Sequence, residues 1–293
     1  MRVHLVDGTW ELFRAHYAPR PSHVAPSGKD LKATVGVVGS LLGLLSDSDE
    51  AVTHLAVAFD NPIRSFRNDL FAGYKTDAGI EPSLYAQFDD VERAVAALGV
   101  TVWSMKDFEC DDALSTAAAR FSKDARVTQV RVMTPDKDLG QVLSGERIVQ
   151  VDRMRKRLFT EATLRAERGF GPESIPDFLA LVGDTADGIP GLEGFGEKGA
   201  AAVLSAYPHL EDIPDDGATW KVKVRGAEKL AATLAANRRE ATLYRTLATL
   251  RFDAPLKESL DELEWKGAPT ARWRAWCAEA GVEKFVDRPR RFV

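Results

Sequence analysis

Short apolar runs that end in acids alternate with stretches of helical spacing over the first half of the chain. Val3-His-Leu-Val6 leads to Asp7, His54-Leu-Ala-Val-Ala-Phe59 to Asp60, Thr101–Met105 to Glu109-Cys-Asp-Asp112, and Val130–Thr134 to Pro135-Asp-Lys-Asp138. Runs this short and continuous predict strands buried on both faces. Between them, Thr9–Ala18 carries Trp10, Leu12, Phe13 and Tyr17 at helical spacing, and Leu31–Leu45, Leu84–Leu98 and Ala113–Phe121 read as further helices. Ile148–Val151 and Arg157–Thr160 predict a hairpin around Asp152–Lys156. Strands alternating with helices make an α/β fold with a parallel, helix-covered sheet. Ligands of such sheets bind beyond the carboxyl ends of the strands, so the acids are expected to converge on one rim.

After Gly169 the pattern becomes helical. An apolar run, Phe178-Leu-Ala-Leu-Val, ends in Gly183-Asp184-Thr-Ala-Asp187, two aspartates three apart that are expected to share one side of a helical end. Gly191, Gly194 and Gly196 follow within six residues, then Lys198 and an alanine-rich helix. Glycines allow close backbone approach with positive φ, and the start of a helix favours anions, so this turn reads as a phosphate cradle. Further helices are expected around Leu204, Lys229–Ala236, Arg239–Leu250 and Arg272–Ala280, with Arg251–Pro269 as a linking segment. We therefore expect residues 1–170 to form an α/β core, with an arch-like segment near 66–90, and residues 171–293 to form a helical region. Trp265, Trp273 and Trp276 read as packing anchors in its last part.

Composition changes the picture in two respects. Of the 293 residues, 45% are hydrophobic and 28% charged, as in soluble globular proteins. The longest apolar stretch, Thr34 to Leu45, has 12 residues, short of the roughly 20 a membrane span needs, and Met1–Asp7 reads as a strand, not a secretory signal. Cys110 and Cys277 lie too far apart for a disulfide framework or zinc spacing, which suits a reducing, cytoplasmic setting. The net charge of −5 taken alone disfavours a polyanionic partner, yet nine carboxylates committed to cations would leave the remainder at +4. Carboxylate-rich, histidine-poor sites suit Mg²⁺ or Mn²⁺, and two such ions can clamp the attacking and leaving oxygens of a phosphodiester displacement. Each acid taken singly is a candidate helix cap or turn former. Four strand ends together with Asp184 and Asp187 favour the collective reading. Cys110 reads as a small buried residue and His4 as a core residue.

In order, these motifs are Leu-Val-Asp7-Gly, Phe-Asp60 with Ser-Phe-Arg67 and Gly-Tyr74-Lys75, Glu109-Cys-Asp111-Asp112, Thr-Pro-Asp136-Lys-Asp138-Leu, and Gly-Asp184-Thr-Ala-Asp187-Gly-Ile-Pro-Gly. The set resembles the flap endonuclease and 5′→3′ exonuclease family, which includes the N-terminal nuclease domain of bacterial DNA polymerase I. The chain stops where a polymerase would begin, so a free-standing nuclease is expected. The resemblance implies a PIN/FEN-like sheet domain and a helix–three-turn–helix at about 174–206 that grips duplex phosphates through Gly191, Gly194, Gly196 and Lys198. It implies metal ligation by Asp7, Asp60, Glu109, Asp111, Asp112, Asp136, Asp138, Asp184 and Asp187. The sheet-side acids would hold one ion, Asp138, Asp184 and Asp187 would help hold a second, and Asp136 would lie between. Lys75, with Asp136 and Arg67, would act at the scissile phosphate, Tyr74 would stack on a terminal base, and Arg14 and Arg67 would contact the strand backbone.

The implied function is hydrolysis of flapped or branched DNA near single-strand/duplex junctions, leaving 5′-phosphate and 3′-hydroxyl, in primer removal and repair. It would work as a monomer beside DNA polymerase and ligase, with two or more Mg²⁺ or Mn²⁺ ions and K⁺ at the glycine turn. A ribonuclease acting on RNA primers and a non-catalytic DNA-binding scaffold are the alternatives. One departure stands out: the run after Tyr74 is Lys75-Thr-Asp-Ala78, with Ala78 at a family arginine position, and Asp77 and Glu81 make this stretch acidic. The departure bears on cut rate, threading and substrate preference, not on metal chemistry.

Overall fold

The computed structural model describes all residues from Met1 to Val293. In chain order its elements are β1 (Arg2–Asp7), α1 (Gly8–Tyr17), α2 (Lys32–Ser46), β2 (His54–Asp60), α3 (Arg67–Leu70), α4 (Pro82–Tyr85), α5 (Phe88–Ala97), β3 (Thr101–Met105), α6 (Cys110–Phe121), β4 (Gln129–Met133), β5 (Ile148–Asp152), β6 (Arg157–Phe159), α7 (Glu161–Arg168), α8 (Ile175–Val182), α9 (Glu197–Ala206), α10 (Ala227–Ala236), α11 (Arg238–Ala248) and α12 (Thr270–Ala280). By contacts the chain divides into two units. One comprises Met1–Ser65, Asp77–Thr134 and Phe252–Val293; the other comprises Phe66–Thr76 and Pro135–Arg251.

The first unit is built on four parallel strands in the order β3-β2-β1-β4. Register sets Asp7 opposite Ala58 and Asp60 opposite Met105, so the acids that close β1 and β2 lie at the same carboxyl end. β2 is buried at every position and β1 at all but its first. That is the signature of strands covered on both faces, and it is why their sequences show no alternation. α6 packs across β1 to β4, while α1 packs on β2 and α2. The expected helix Leu84–Leu98 is two pieces, α4 and α5. Gln87 sits at the break with its side-chain oxygen accepting from the backbone N–H groups of Ala33 and Thr34 at 3.0 Å each, so it serves the start of α2.

The last stretch belongs to this first unit rather than to a continuous helical region beginning at 171. The tryptophans explain this. The Trp265 indole donates to the Leu98 carbonyl at 2.9 Å, the Trp273 indole to the Val286 carbonyl at 3.0 Å, and Trp273 stacks on Trp276 with centroids 5.1 Å apart. Each buries a large ring while satisfying, for Trp265 and Trp273, the single donor it carries. They are packing anchors.

The second unit holds the antiparallel hairpin β5–β6 and the helices α7 to α11. α7 had no counterpart among the expected helices. Thr160 caps it, accepting from the N–H of Thr163 at 3.2 Å, and Gly169 ends it in the left-handed conformation. α8 packs against α9 and α11 around Phe178, Leu179, Leu181 and Leu204. Burying an apolar helix such as α8 supplies on the order of 1.5–3 kcal/mol per large side chain, which fixes the loop at its end.

Candidate active site

In the first unit the rim acids are ordered by neutral donors. Asp7 caps α1, its Oδ1 accepting from the Trp10 N–H at 2.8 Å, and its Oδ2 accepts from the Thr134 hydroxyl at 2.9 Å. Asp60 Oδ1 accepts from the Cys110 N–H at 2.6 Å, while its own N–H donates to Thr9 Oγ1 at 2.8 Å. Glu109 Oε1 accepts from the Ser65 hydroxyl at 2.6 Å. Asp112 is fully buried and accepts from the Glu109 N–H at 3.0 Å, one half of a capping box at the start of α6. The capping reading of Asp112 is thus realised, and it stiffens the turn that presents Asp111.

Side-chain ligand atoms of Asp7, Cys110 and Asp111 all lie within 4.8 Å of one another. Only the carboxylates of this trio suit a hard cation. Burial pushes the Cys110 thiol well up, with Asp7, Asp60 and Asp111 adding to the shift, and the thiol lies 3.3 Å from the Ala58 carbonyl and 3.5 Å from Asp7 Oδ1. A protonated thiol is a poor ligand. Cys110 is a small buried residue that places its N–H on Asp60.

In the second unit four acids surround two lysines. Lys75 Nζ lies 3.0 Å from Asp187 Oδ1, and Lys137 Nζ lies 3.1 Å from Asp184 Oδ2. Asp136 Oδ1 accepts from the Asp138 N–H at 2.9 Å. Burial pushes the Asp136 carboxyl up, opposed by that N–H and reinforced by the charge of Asp187. Burial pushes Asp138 further, well above the ordinary carboxylate range, with Asp136, Asp187 and Asp184 adding their charge. The buried Asp138 Oδ1 has no hydrogen-bond partner. Burial alone would push the Lys137 ammonium down, but its bond to Asp184 and the nearby acids outweigh that and leave it raised.

Asp184 and Asp187 are not on a helical end. α8 stops at Val182, Gly183 follows at φ 87°, and Asp184 Oδ1 accepts from the Ala186 N–H at 2.8 Å, forming a side-chain turn closed by an Asp184–Ile189 bridge. Gly191, at φ 71°, lies so close to Gly183 that an added Cβ would sit 2.5 Å from the Gly183 nitrogen. Gly194 also has positive φ (88°), whereas Gly196 is extended at φ −98° and is the N-cap of α9. Lys198 is exposed in the first turn of that helix.

Two residues expected to contact nucleic acid are buried. Tyr74 is 3% exposed, packed in the core with its hydroxyl donating to Asp187 Oδ2 at 3.2 Å; its ring is not available as a stacking platform. Arg67 is 2% exposed, its guanidinium donating to the carbonyls of Leu247 at 2.8 Å and Thr249 at 2.9 Å and lying over Phe66. It satisfies carbonyls at the end of α11, where a helix leaves acceptors unmatched. Arg14 pairs with Glu11 and lies over Trp10, with 14% of its side chain exposed.

The sequence reading missed Thr9, Ser65, Thr134 and Asn68. The first three order the rim acids, and the Asn68 amide donates to the carbonyl of Lys75 at 2.9 Å. Three of them stand within five residues of a motif acid or lysine in sequence, and that proximity of hydroxyls to acids was the available signal.

A parallel sheet with an acidic rim, in a chain that also carries a glycine-turn helical unit, is the build of a PIN-like nuclease. Residues 2–169 match the model of a 5′-3′ exonuclease N-terminal resolvase-like domain and residues 170–271 that of a 5′-3′ exonuclease C-terminal SAM fold. The chain belongs to the 5′-3′ exonuclease family, a family of nucleases. It is 35% identical over 274 residues to DNA polymerase I of Pseudomonas aeruginosa, a match covering 90% of this chain and 29% of that protein. The chain spans between a quarter and a third of the length of the polymerase I relatives it matches. A 5′-3′ exonuclease of Aquifex aeolicus is 29% identical over 275 residues, covering 90% of this chain and 92% of that one. Among solved structures, a T5 5′-exonuclease with bound zinc superposes with a TM-score of 0.62 at 17% identity, covering 96% of this chain and all of that one. At that identity the likeness shows the fold.

Proposed function

We propose that the chain is a divalent-metal-dependent, structure-specific 5′ nuclease that hydrolyses DNA phosphodiesters near single-strand/duplex junctions, leaving 5′-phosphate and 3′-hydroxyl. The observation that carries the reading is the buried Asp138 oxygen without a partner among Asp136, Asp184 and Asp187. Crowded, desolvated carboxylates are costly unless a cation joins them. Oxygen-only donors with a protonated neighbouring thiol suit Mg²⁺ or Mn²⁺. In this proposal the ligands are Asp7, Asp60, Glu109, Asp111, Asp112, Asp136, Asp138, Asp184 and Asp187, with Asp112 at least partly a structural support. Bound ions supply Lewis-acid stabilisation of phosphoryl oxygens and ease deprotonation of water.

The chain's own groups do the rest. Lys75, held by Asp187 and by the Asn68 amide behind it, exchanges its carboxylate for a non-bridging phosphate oxygen and offsets the charge developing there. Thr134 and the Trp10 N–H keep Asp7 oriented. The Gly191–Lys198 turn presents backbone N–H groups and an ammonium to duplex phosphates, with K⁺ as a candidate ion at that turn. The proposal extends to a monomer working in the cytoplasm on flapped replication and repair intermediates, in sequence with a DNA polymerase and a ligase.

The test is direct. The purified chain with Mn²⁺ or Mg²⁺ is expected to cut a 5′-labelled DNA flap, to stop on chelation, and to act less on the same flap made of RNA. An intact DNA flap in the presence of either metal refutes the reading, and preference for the RNA flap replaces it with a ribonuclease.

A further inference from the structure

Residues 272–293 lie beyond the last residue matched by either family model, and they carry a charge opposite to that of the chain. Arg272, Arg274, Lys284, Arg288, Arg290 and Arg291 stand against Glu279, Glu283 and Asp287, in a protein whose net charge is −5. All six basic residues are exposed. Three arginines elsewhere in the chain are paired with acids. Arg126 is bonded to Asp124 at 2.8 Å and Asp261 at 2.6 Å, Arg165 to Glu161 and Glu173 at 2.9 Å each, and Arg238 to Asp215 at 2.6 Å. None of the six engages a carboxylate. Arg272 donates to the Ala96 carbonyl at 3.0 Å, Lys284 and Arg288 lie over the Phe285 ring, and Glu279 is taken by Arg93.

The segment is also fixed in place. Trp273, Trp276, Val282 and Phe285 are buried beneath it. The end of the chain pairs with the residues before α12: Ala268 N–H donates to the Arg291 carbonyl at 2.9 Å and Thr270 N–H to the Val293 carbonyl at 2.9 Å. The Trp273 indole reaches the Val286 carbonyl from the first turn of α12. These bonds bring 286–293 beside the start of the helix that carries Arg272 and Arg274. The result is a group of exposed basic residues on a packed helix and tail, none of them paired with a carboxylate.

We propose that this surface binds the phosphate backbone of a duplex arm of the DNA substrate. Five arginines to one lysine favour phosphate, whose oxygens match the guanidinium fork. An anionic membrane is the weaker fit, because the basic residues stand on a packed helix and tail, not on a helix with an apolar face left for lipid. The assignment rests on the DNA reading above and adds to it a contact outside the matched family domains.

The experiment is binding of a labelled 5′-flap duplex to the full chain in EDTA, where no cleavage occurs, across a series of salt concentrations. The variant is Arg288→Ala with Arg290→Ala and Arg291→Ala. Loss of three phosphate contacts is expected to weaken binding and to flatten the slope of log K against log salt by about 1 per arginine, roughly 3 in all. If the triple variant melts early, Arg290→Ala alone is expected to flatten the slope by about 1. An unchanged slope in a folded variant overturns the proposal, as does a wild type that does not bind the duplex. A variant that keeps its DNA slope but loses binding to phosphatidylserine vesicles overturns it in favour of a lipid surface. A flattened slope in a chain that cuts no flap with metal upholds this proposal and sinks the catalytic one.

Discussion

The two acidic groups differ in the donors that order them. Asp7, Asp60, Glu109 and Asp112 accept from backbone N–H groups and hydroxyls. Asp184 and Asp187 are held by lysines, and Asp136 and Asp138 press against them, with one Asp138 oxygen unmatched. The first arrangement is pre-organised: its hydrogen bonds keep the carboxylates aimed. The second is poised, because its repulsion is relieved by any cation that enters, including one that displaces a lysine. The contrast teaches that acids within one family of motifs can be assigned different energetic tasks by what their neighbours donate.

The sharpest way to break the comparison is to remove a charge from the ordered group. Asp111 stands in the first turn of α6 beside Asp7. Asp111→Asn is expected to lower flap cleavage by more than about a thousandfold, beyond the roughly 10²–10³ carried by a single electrostatic donor, with melting unchanged to within about 2 °C. Quantitative single-turnover cleavage alongside thermal melting checks this. A variant that still cuts at a tenth of the normal rate removes Asp111 from the ligand set. A smaller loss is expected from Thr134→Val, which keeps shape but deletes the hydroxyl on Asp7. Groups that orient a ligand are worth about 10- to 100-fold, so cleavage falls by that amount and the metal concentration for half-maximal rate rises. Equal cleavage in Thr134→Val shows that the N–H of Trp10 suffices to aim Asp7.

How much of this was legible beforehand follows the physics of each signal. The strands were readable because burial on both faces leaves a plain apolar run, and the rim acids because a strand end is a point in the chain as well as in space. The break between α4 and α5 was not readable: Gln87 looks like a helix residue, and only its bonds to Ala33 and Thr34 show what it does. The burial of Tyr74 and Arg67 was not readable, because an aromatic and an arginine beside a catalytic-looking lysine suit either a surface or a core. Burial decides between the two, and burial depends on Leu247, Thr249 and Asp187, more than 110 residues away in sequence. Cys110 went the other way. Its type and setting already favoured a small buried residue, and the thiol near Ala58 bears that out. The turn at Asp184 shows the limit of spacing arguments: residues three apart face one side of a helix, but Gly183 had already ended it.

The smallest expected effect discriminates best between the two groups, because it needs no substrate. In metal-free protein, Asp138→Asn removes a buried charge crowded by Asp136, Asp187 and Asp184 and exchanges a carboxylate for an amide that can donate to them. Relieving an unmatched buried group is worth about 1–3 kcal/mol, and in a chain of 293 residues each kcal/mol moves melting by about 1.5 °C. Melting in EDTA is therefore expected to rise by a few degrees. Asp7→Asn is expected to move it the other way, since a carboxylate accepting from Trp10 and Thr134 is replaced by an amide that turns an N–H₂ towards one of those donors. On adding Mn²⁺ the order reverses for Asp138. The wild type gains stability by mass action, about 2.7 kcal/mol at a hundred times Kd, while Asp138→Asn gains less. Both variants melting below wild type in EDTA would mean that Asp138 is already satisfied without metal, and the distinction between an ordered group and a poised one would fall.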